Sequence, residues 1–548
     1  MIPETINLTE IEQEDKKLHK QEIELPCLGK LISTFAQEVA AEVKDKNTLF
    51  YRVDSKEIIE IGTITIETEE GNKELTGFLS VKPNRFITIT EKYFIPIKKF
   101  YNASTKEHFT KKRSMTIENA NIVLASEILQ KELPQITRLF TIPIPIMYKG
   151  ELTFPTKGYD SRFNSWLPID APEIINPNMS LEEAKELFKT IFKDFCFEIQ
   201  QDYYNAIAAL LTPYLRGLFT KFNTRTPVFF YIANRERAGK DYCAGITGLI
   251  YEGNNIEEAP LCSGEKFGGG TSEELRKKLL SAFISGRKRM HFANNKGHID
   301  NAVFEQITTA EQYTDRILGR NETLTFDNEL DFSLSGNTGV TYTADVANRC
   351  RFVKLFLEIE NANERKFTIS DLHGFILENR GKILSALYCL VRNWKEKGSP
   401  KGSKPFASFH QWANVCGGIM EAAGYGNPCE IDKEIDKRLG DSETNDMKAL
   451  FEECYDVMPE QKWNKDEIVN KVINDGLFEG LDLANKHGDL IKFSNLLKKY
   501  NNRILSDIRM EILNPKERLS RNGFKFTKEI RSRTLINFDG VDLNGKNN

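Results

Sequence analysis

Eight residues between an apolar run and a helix-like run are the part of this sequence best suited to chemistry: Asn234-Arg235-Glu236-Arg237-Ala238-Gly239-Lys240-Asp241, preceded by VFFYIA. A strand that turns into a helix through G-x-x-x-x-G-K-[ST] holds phosphate by three devices. Backbone N–H groups cradle the oxygens, the Lys reaches the outer phosphates, and the hydroxyl ligates Mg2+. The second Gly and the Lys of that pattern stand here as Gly239 and Lys240, with Ala238 before them. Asn234 replaces the first Gly; Asn tolerates left-handed backbone better than most residues, so the turn is expected to survive. Asp241 replaces the hydroxyl residue. Its carboxylate is able to ligate Mg2+ directly, yet it sets a negative charge beside any phosphate.

A lone Gly-Lys pair is common and by itself marks only a helix N-terminus with an exposed lysine. The segments downstream change that balance. RMHFANN (289–295) reads as a strand, and Ala293 stands where a nucleotide-hydrolysing site would carry an acid to position metal and water. FSLSGN (332–337) reads as a third strand and closes on Asn337. DVANRCR (345–351) ends a helix at Arg349, with Arg351 two residues further on.

These residues need a scaffold, and the rest of the chain supplies its outline. At 548 residues the chain exceeds a single core and suggests about three domains. With 40% hydrophobic and 28% charged residues it has ordinary globular composition. No apolar run is long enough to span a bilayer, and the acidic start MIPETINLTEIEQEDKK lacks the apolar segment of a signal peptide, so the expected location is cytoplasmic, with no membrane partner. The nine cysteines form no C-x-x-C pair and no Cys/His cluster at ligand spacing, and read as free thiols. A net charge of −4 makes no global case for nucleic acid. Between Lys492 and Arg533, however, basic residues such as Lys498, Lys499, Arg518 and Arg521 outnumber acids.

Residues 1–45 are polar and helix-prone. From 49 to 97 the alternation in IGTITIETEE and ELTGFLSVK predicts an antiparallel sheet, closed by KKFYNASTKEHFTKKRS (98–114), which reads first as a basic, solvated connection. Helices are expected at 181–198, with Ser180 as N-cap and acids in the first turn, and at 201–222. Beyond the loop, helix and strand alternate: helix 240–251, helix 272–285, strand 287–293, helix 300–313, a hairpin around 316–333, strand 332–336, helix 343–349 and strand 351–358. That alternation predicts an α/β sheet. The chain is helical beyond 369, and from about 440 short helices mix with strand-like GFKFTKE.

Taken in order, several stretches resemble the AAA+ replicative helicase modules of phages, plasmids and integrated mobile elements, related to superfamily-three and MCM-like helicases. They are GYDSRFNSW (158–166), DFCFEIQQDYYNAIAALLTPYLR (194–216), the loop, EELRKKLLSAFISGRKRMHFANN (273–295), RILGRNE (316–322), LSGNTGVTYTADVANRCRFVKLFLE (334–358), ERKFTISDLHGFILENRGKILSALYCLVRNW (364–394) and PFASFHQWANVCGGIMEAAG (405–424). The likeness covers about residues 120–525. It implies a multidomain α/β chain with an AAA+ P-loop ATPase core and lid helices at 223–425. An N-terminal arm and small β-rich α+β domain (1–120) and a helical collar (121–222) would precede the core, and a basic winged-helix-like domain (426–548) would follow it.

The resemblance further implies a hydrolase that uses ATP and Mg2+, forms a homo-oligomeric ring, a hexamer, and moves on single- and double-stranded DNA during replication of such an element. Residues 1–120 are too short for a priming domain and lack D-x-D acids, so a separate primase or polymerase would be its partner. In this scheme Asn234, Ala238, Gly239 and Lys240 hold the nucleotide, and Asp241 takes the Mg2+-ligand position. Asn337 orients the attacking water, and Arg349, with Arg351 as second candidate, reaches a neighbour's nucleotide. Arg316 and Arg320 fall on a hairpin that touches DNA in the pore, and Lys498, Lys499, Arg518 and Arg521 on the winged helix that binds duplex backbone. Arg365 and Arg380 are candidates for a lid contact or for helix-end caps. Two outcomes of the departures stand side by side. Asp241 moves the metal's carboxylate from strand to loop and turnover survives, or the chain is a degenerate scaffold or origin-binding initiator without turnover.

Overall fold

VFFYIA is apolar at every position, as a strand must be when both faces of its sheet are covered. In the computed structural model this run is β1 (Val228–Ala233), with all six residues buried. It lies in a five-stranded parallel sheet with β2 (Glu257–Glu258), β3 (Arg289–Asn295), β4 (Asp331–Asn337) and β5 (Cys350–Leu355), ordered β2–β3–β4–β1–β5. The residues described are 20–27, 29–68, 71–219, 225–261, 270–317, 322–337, 340–357, 367–430, 442–478, 481–505, 508–514 and 522–528.

Register decides where the strands end. Ala233 lies opposite Asn337 on one side and Leu355 on the other, and Asn295 lies opposite Gly336. Loops leaving those carboxyl ends therefore share one edge, the usual ligand crevice of an open parallel sheet. The connecting helices are α1 (Lys240–Glu252), α2 (Gly270–Ser285) and α3 (Ala302–Thr309). Asn301 caps α3 by accepting the N–H groups of Val303 and Phe304, both at 3.1 Å. The expected helix 300–313 stops at Thr309, and Gln312–Arg316 pairs instead with Thr323–Asp327 as an antiparallel hairpin.

β5 is an edge strand, and its outward backbone groups are covered. Phe197 bridges to Leu355. On the helix Gln200–Leu211, Asp202 Oδ1 accepts the Lys354 N–H at 2.9 Å, and Asn205 Nδ2 donates to the Phe352 carbonyl at 2.8 Å. The helix expected over 201–222 ends at Leu211 because Pro213 has no N–H to donate, and the chain continues as a 3-10 helix, Thr212–Leu218. Upstream, Leu181–Phe192 has the reciprocal Ser180–Glu183 capping box that its sequence predicts.

Nearer the start, Glu57–Thr68 and Gly71–Ser80 form a long antiparallel pair, extended by Phe50–Arg52 and Gln135–Ile136. Pro83 begins a helix, Pro83–Thr90, because its missing N–H costs nothing at a first helical position. The basic stretch after it is not a loose connection: Phe94–Asn102 and Glu107–Lys112 pair as a ribbon, flanked by Gln21–Glu24.

The chain divides into two compact units, one of residues 1–341 and 348–430, the other of 342–347 and 431–548. In the second, the helices Ser442–Val457, Lys465–Asn474 and His487–Lys499 pack with an antiparallel sheet ordered Lys462–Asn464, Gly523–Lys528, Ile508–Ile512, Ile504–Leu505. Phe451, Phe493, Phe524 and Phe526 lie in its core. Among the described residues no helix is long and apolar enough to cross a membrane.

Candidate functional site

The loop from β1 to α1 makes its turn at two left-handed residues, Arg237 (φ 62°) and Gly239 (φ +96°), and Asn234 is not one of them. Glycine is favoured at 239 by the backbone conformation alone, since an added Cβ would meet the Phe195 ring at 3.4 Å, an ordinary contact. Asn234 has a different task from the one its place in the motif suggests. Its Oδ1 accepts the Leu357 N–H at 2.9 Å and its Nδ2 donates to the Leu357 carbonyl at 3.1 Å, while its own N–H donates to Leu355. The side chain imitates a peptide unit and carries the β1–β5 pairing past the end of the strands.

At the start of α1, four residues from three elements close a hydrogen-bonded circuit. Lys240 Nζ donates to Asp241 Oδ2 at 2.6 Å and to Asn294 Oδ1 at 3.4 Å. Ser335 Oγ donates to Asp241 Oδ1 at 2.6 Å and accepts the Asn294 N–H at 3.2 Å. Asn294 reaches this position through a left-handed backbone (φ 53°) at the end of β3, a conformation Asn adopts at low cost. Ala293, where an acid was to be looked for, is buried and offers nothing polar. The circuit's carboxylate is that of Asp241, held by a β4 hydroxyl. His291, further back on β3, bonds Ser333 Oγ through Nδ1 at 2.8 Å, and burial, reinforced by nearby Arg289, keeps it neutral, well below the ordinary histidine range. It has no charge to bring to the site.

Beside this circuit lies a cleft of about 630 Å³. Arg235, Arg237, Gly239, Lys240 and Asp241 form its polar side; Ile191, Phe195, Tyr242, Phe367 and Leu372 form its apolar side. Asp194 Oδ2 accepts the N–H groups of Thr368 (2.8 Å) and Ile369 (3.1 Å), which anchors the segment bearing Phe367. A concave site lined by both cations and rings suits a ligand that joins an anionic group to a flat heterocycle. Asn294 and Ser335 are brought to the loop by strand order, and Phe195 and Phe367 by segments outside the sheet; none of the four is marked as a site residue by its type.

The other residues singled out in the sequence are distributed as follows. Asn337 ends β4 next to Ala233, and its Oδ1 is buried without a partner among the described residues. Arg349 precedes β5 at the opposite end of the sheet, about 20 Å from the loop at ~3.3 Å per strand residue. Its Nη1 donates to the Glu305 carbonyl and to Thr308 Oγ1. Arg351 is buried, its guanidinium 3.6 Å from the centre of the Phe406 ring, and its Nε has no partner among the described residues. Arg380 donates to the Ile250 and Tyr251 carbonyls and so closes the far end of α1. Arg316 is exposed at the end of the hairpin strand Gln312–Arg316. Lys498 and Lys499 are exposed in the last turn of His487–Lys499, with the Lys499 ammonium 5.5 Å from the Tyr500 ring. Arg320, Arg365, Arg518 and Arg521 lie outside the described residues.

No family model matches this sequence, and no curated protein matches it. Among solved structures, the apo A form of the NrS-1 C-terminal region is similar at 12% identity and a TM-score of 0.36, over 82% of this chain and 100% of that one. SCCmec type IV Cch, described as an active helicase, is similar at 10% identity and a TM-score of 0.31, over 88% of this chain and 97% of that one. Scores of this size leave both fold and chemistry to be argued from the residues.

Proposed function

We propose that this chain is an AAA+ nucleoside triphosphatase that acts as a ring-forming DNA helicase in the replication of a mobile element. One observation carries the reading: the loop into Lys240 leaves β1 at the carboxyl edge of a sheet in which β4 is inserted between β1 and β3. That insertion sets Ser335 and Asn337 beside the phosphate loop, where a water-orienting side chain is needed. The cleft's pairing of three cations with Phe195 and Phe367 fits ATP. For Mg2+ the fit is leaner, since Asp241 is the one carboxylate in the circuit, but that ion is commonly held by one or two carboxylates plus the substrate's phosphates. When bound, Mg2+ would neutralise developing charge between the phosphates.

The residues' own parts follow from their positions. Lys240 turns from Asp241 to phosphate oxygen, and Asp241, with Ser335 hydrogen-bonded to it, would hold the metal. Asn337, with its carbonyl oxygen unpaired among the described residues, orients a water against the terminal phosphate. Arg349 is too far from its own loop to act there, which favours action on a neighbouring subunit's nucleotide and hence a ring. In the second unit, the sequence helix, strand, helix, helix, strands supports a winged helix with Lys498 and Lys499 turned to DNA phosphates.

A second reading has its own observation. With Ala293 apolar and Lys240 already paired to Asp241 at 2.6 Å, the site resembles one that binds nucleotide without turnover, in a DNA-bound scaffold. Phosphate release by the purified chain with single-stranded DNA, set against Lys240→Ala, separates the two. The helicase reading expects DNA-stimulated release that Lys240→Ala abolishes. Triphosphate binding without release supports the scaffold, and no binding at all overturns both.

A further inference from the structure

The ribbon Phe94–Asn102/Glu107–Lys112 is an unusual thing for a folded chain to leave in the open. Residues 98–113 hold six Lys or Arg and one Glu, in a chain whose overall charge is negative. Register puts Phe100 opposite Phe109 and Lys98 opposite Lys111. These four share one face, because residues two apart on a strand point the same way. The rings stack at 5.6 Å and 19°, with the Lys98 ammonium 5.9 Å from Phe100 and that of Lys111 5.4 Å from Phe109. The other face carries Tyr101 against His108 at 5.1 Å, with Lys99 and Lys112. Every residue of Glu107–Lys112 is exposed, as is Tyr101.

Hairpin stability accounts for only part of this. Cross-strand ring pairs do hold a two-stranded ribbon together, and such a ribbon is marginal by itself. Two lysines directly opposite each other work against it, since like charges in that position repel. Lys99 has a partner in Glu24 at 2.6 Å, whereas Lys98 and Lys111 face each other directly, next to the ring pair. A lysine pair beside stacked rings, one half-buried and one exposed, is satisfied by a polymer that supplies anions at regular spacing and flat faces between them.

We propose that this ribbon is a grip for single-stranded nucleic acid, with Phe100 and Phe109 stacking on unpaired bases and Lys98 and Lys111 on the flanking phosphates. A single strand is required rather than a duplex, because only unpaired bases offer their faces, and stacking on rings is tolerant of sequence. The grip extends the helicase reading by a contact outside the motor and the basic stretch 492–533, and rests on that reading only for the identity of the polymer.

The test uses the full chain without nucleotide and a fluorescent oligo(dT). Phe100→Leu/Phe109→Leu keeps an apolar cross-strand pair and removes the ring faces; binding should weaken by roughly 5- to 100-fold. Lys98→Ala/Lys111→Ala should lower the slope of log affinity against log salt by about 1.4, at about 0.7 per phosphate contact. An abasic strand of the same length should bind the unaltered chain as weakly as oligo(dT) binds the leucine variant. Unchanged affinity and slope in both ribbon variants overturns the grip while leaving DNA binding elsewhere intact. Loss of the grip together with the helicase reading would show as no oligo(dT) binding by the unaltered chain. Equal competition by polyglutamate and oligo(dT) would assign the ribbon to acidic protein instead.

Discussion

Removing the negative charge at position 241 is the sharpest perturbation the site offers. The Asp241 carboxylate lies 2.6 Å from the ammonium that must meet a phosphate, so in the absence of metal it opposes any triphosphate that enters. Asp241→Asn keeps an oxygen for the Ser335 hydroxyl and abolishes the charge. Two unit charges about 5 Å apart interact by ~3 kcal/mol at an effective dielectric constant near 20. Asp241 is about a third exposed, and solvent screening cuts this to about 1.5 kcal/mol, roughly tenfold in Kd. In EDTA, therefore, Asp241→Asn should bind a fluorescent ATP analogue about tenfold more tightly than the unaltered chain. With Mg2+ present the order should reverse, because the variant has lost the metal's carboxylate. Equilibrium titrations in the two buffers supply the four constants. If Asp241→Asn binds more weakly than the unaltered chain in EDTA, the carboxylate is not facing the phosphates and the placement of the ligand is wrong.

Other positions give independent expectations. Arg349→Ala should bind nucleotide normally and lose turnover, and mixing it with Lys240→Ala should restore part of the phosphate release, since some subunit boundaries then join an intact loop to an intact arginine; no recovery refutes action in trans. Arg351→Met should leave both melting and turnover nearly unchanged, within ~1 kcal/mol, because an apolar chain of similar length replaces a desolvated cation over Phe406. A selective loss of turnover would give Arg351 a part in catalysis. Asp202 is 1% exposed, and burial, opposed by the N–H groups of Lys354 and Ile199, raises its carboxyl from 3.8 to about 6. The folded chain thus holds this proton more tightly than the unfolded chain, so the residue's contribution to stability falls as pH rises from about 4 to about 6, by ~3 kcal/mol in all. Asp202→Asn should remove that component from the difference between melting curves taken across this range; an unchanged difference refutes it.

The parts of this protein written in short stretches of its sequence are those set by neighbours along the chain. VFFYIA announces a strand covered on both faces, and Ser180 with Glu183 announces a helix start; both depend on contacts a few residues apart. Gly239-Lys240 likewise declares a turn into a helix, because the left-handed backbone excludes most other residues. Register and strand order lie beyond such signals. Asn234 reads as a turn residue until Leu357, more than a hundred positions later, arrives beside it and takes both of its side-chain hydrogen bonds. Asp241 reads as a defect until β4 brings Ser335 to its carboxylate, and Arg351 reads as a free cation until Phe406 covers it. The basic stretch 98–114 shows its composition at once, but only the pairing of its two halves sets lysine against lysine and ring against ring. Composition and periodicity fix which segments become strands and helices, since these follow from local backbone preference and the need to bury apolar faces. Which polar groups meet is decided when the strands take their order in the sheet, because only then does each buried donor and acceptor find, or fail to find, its partner.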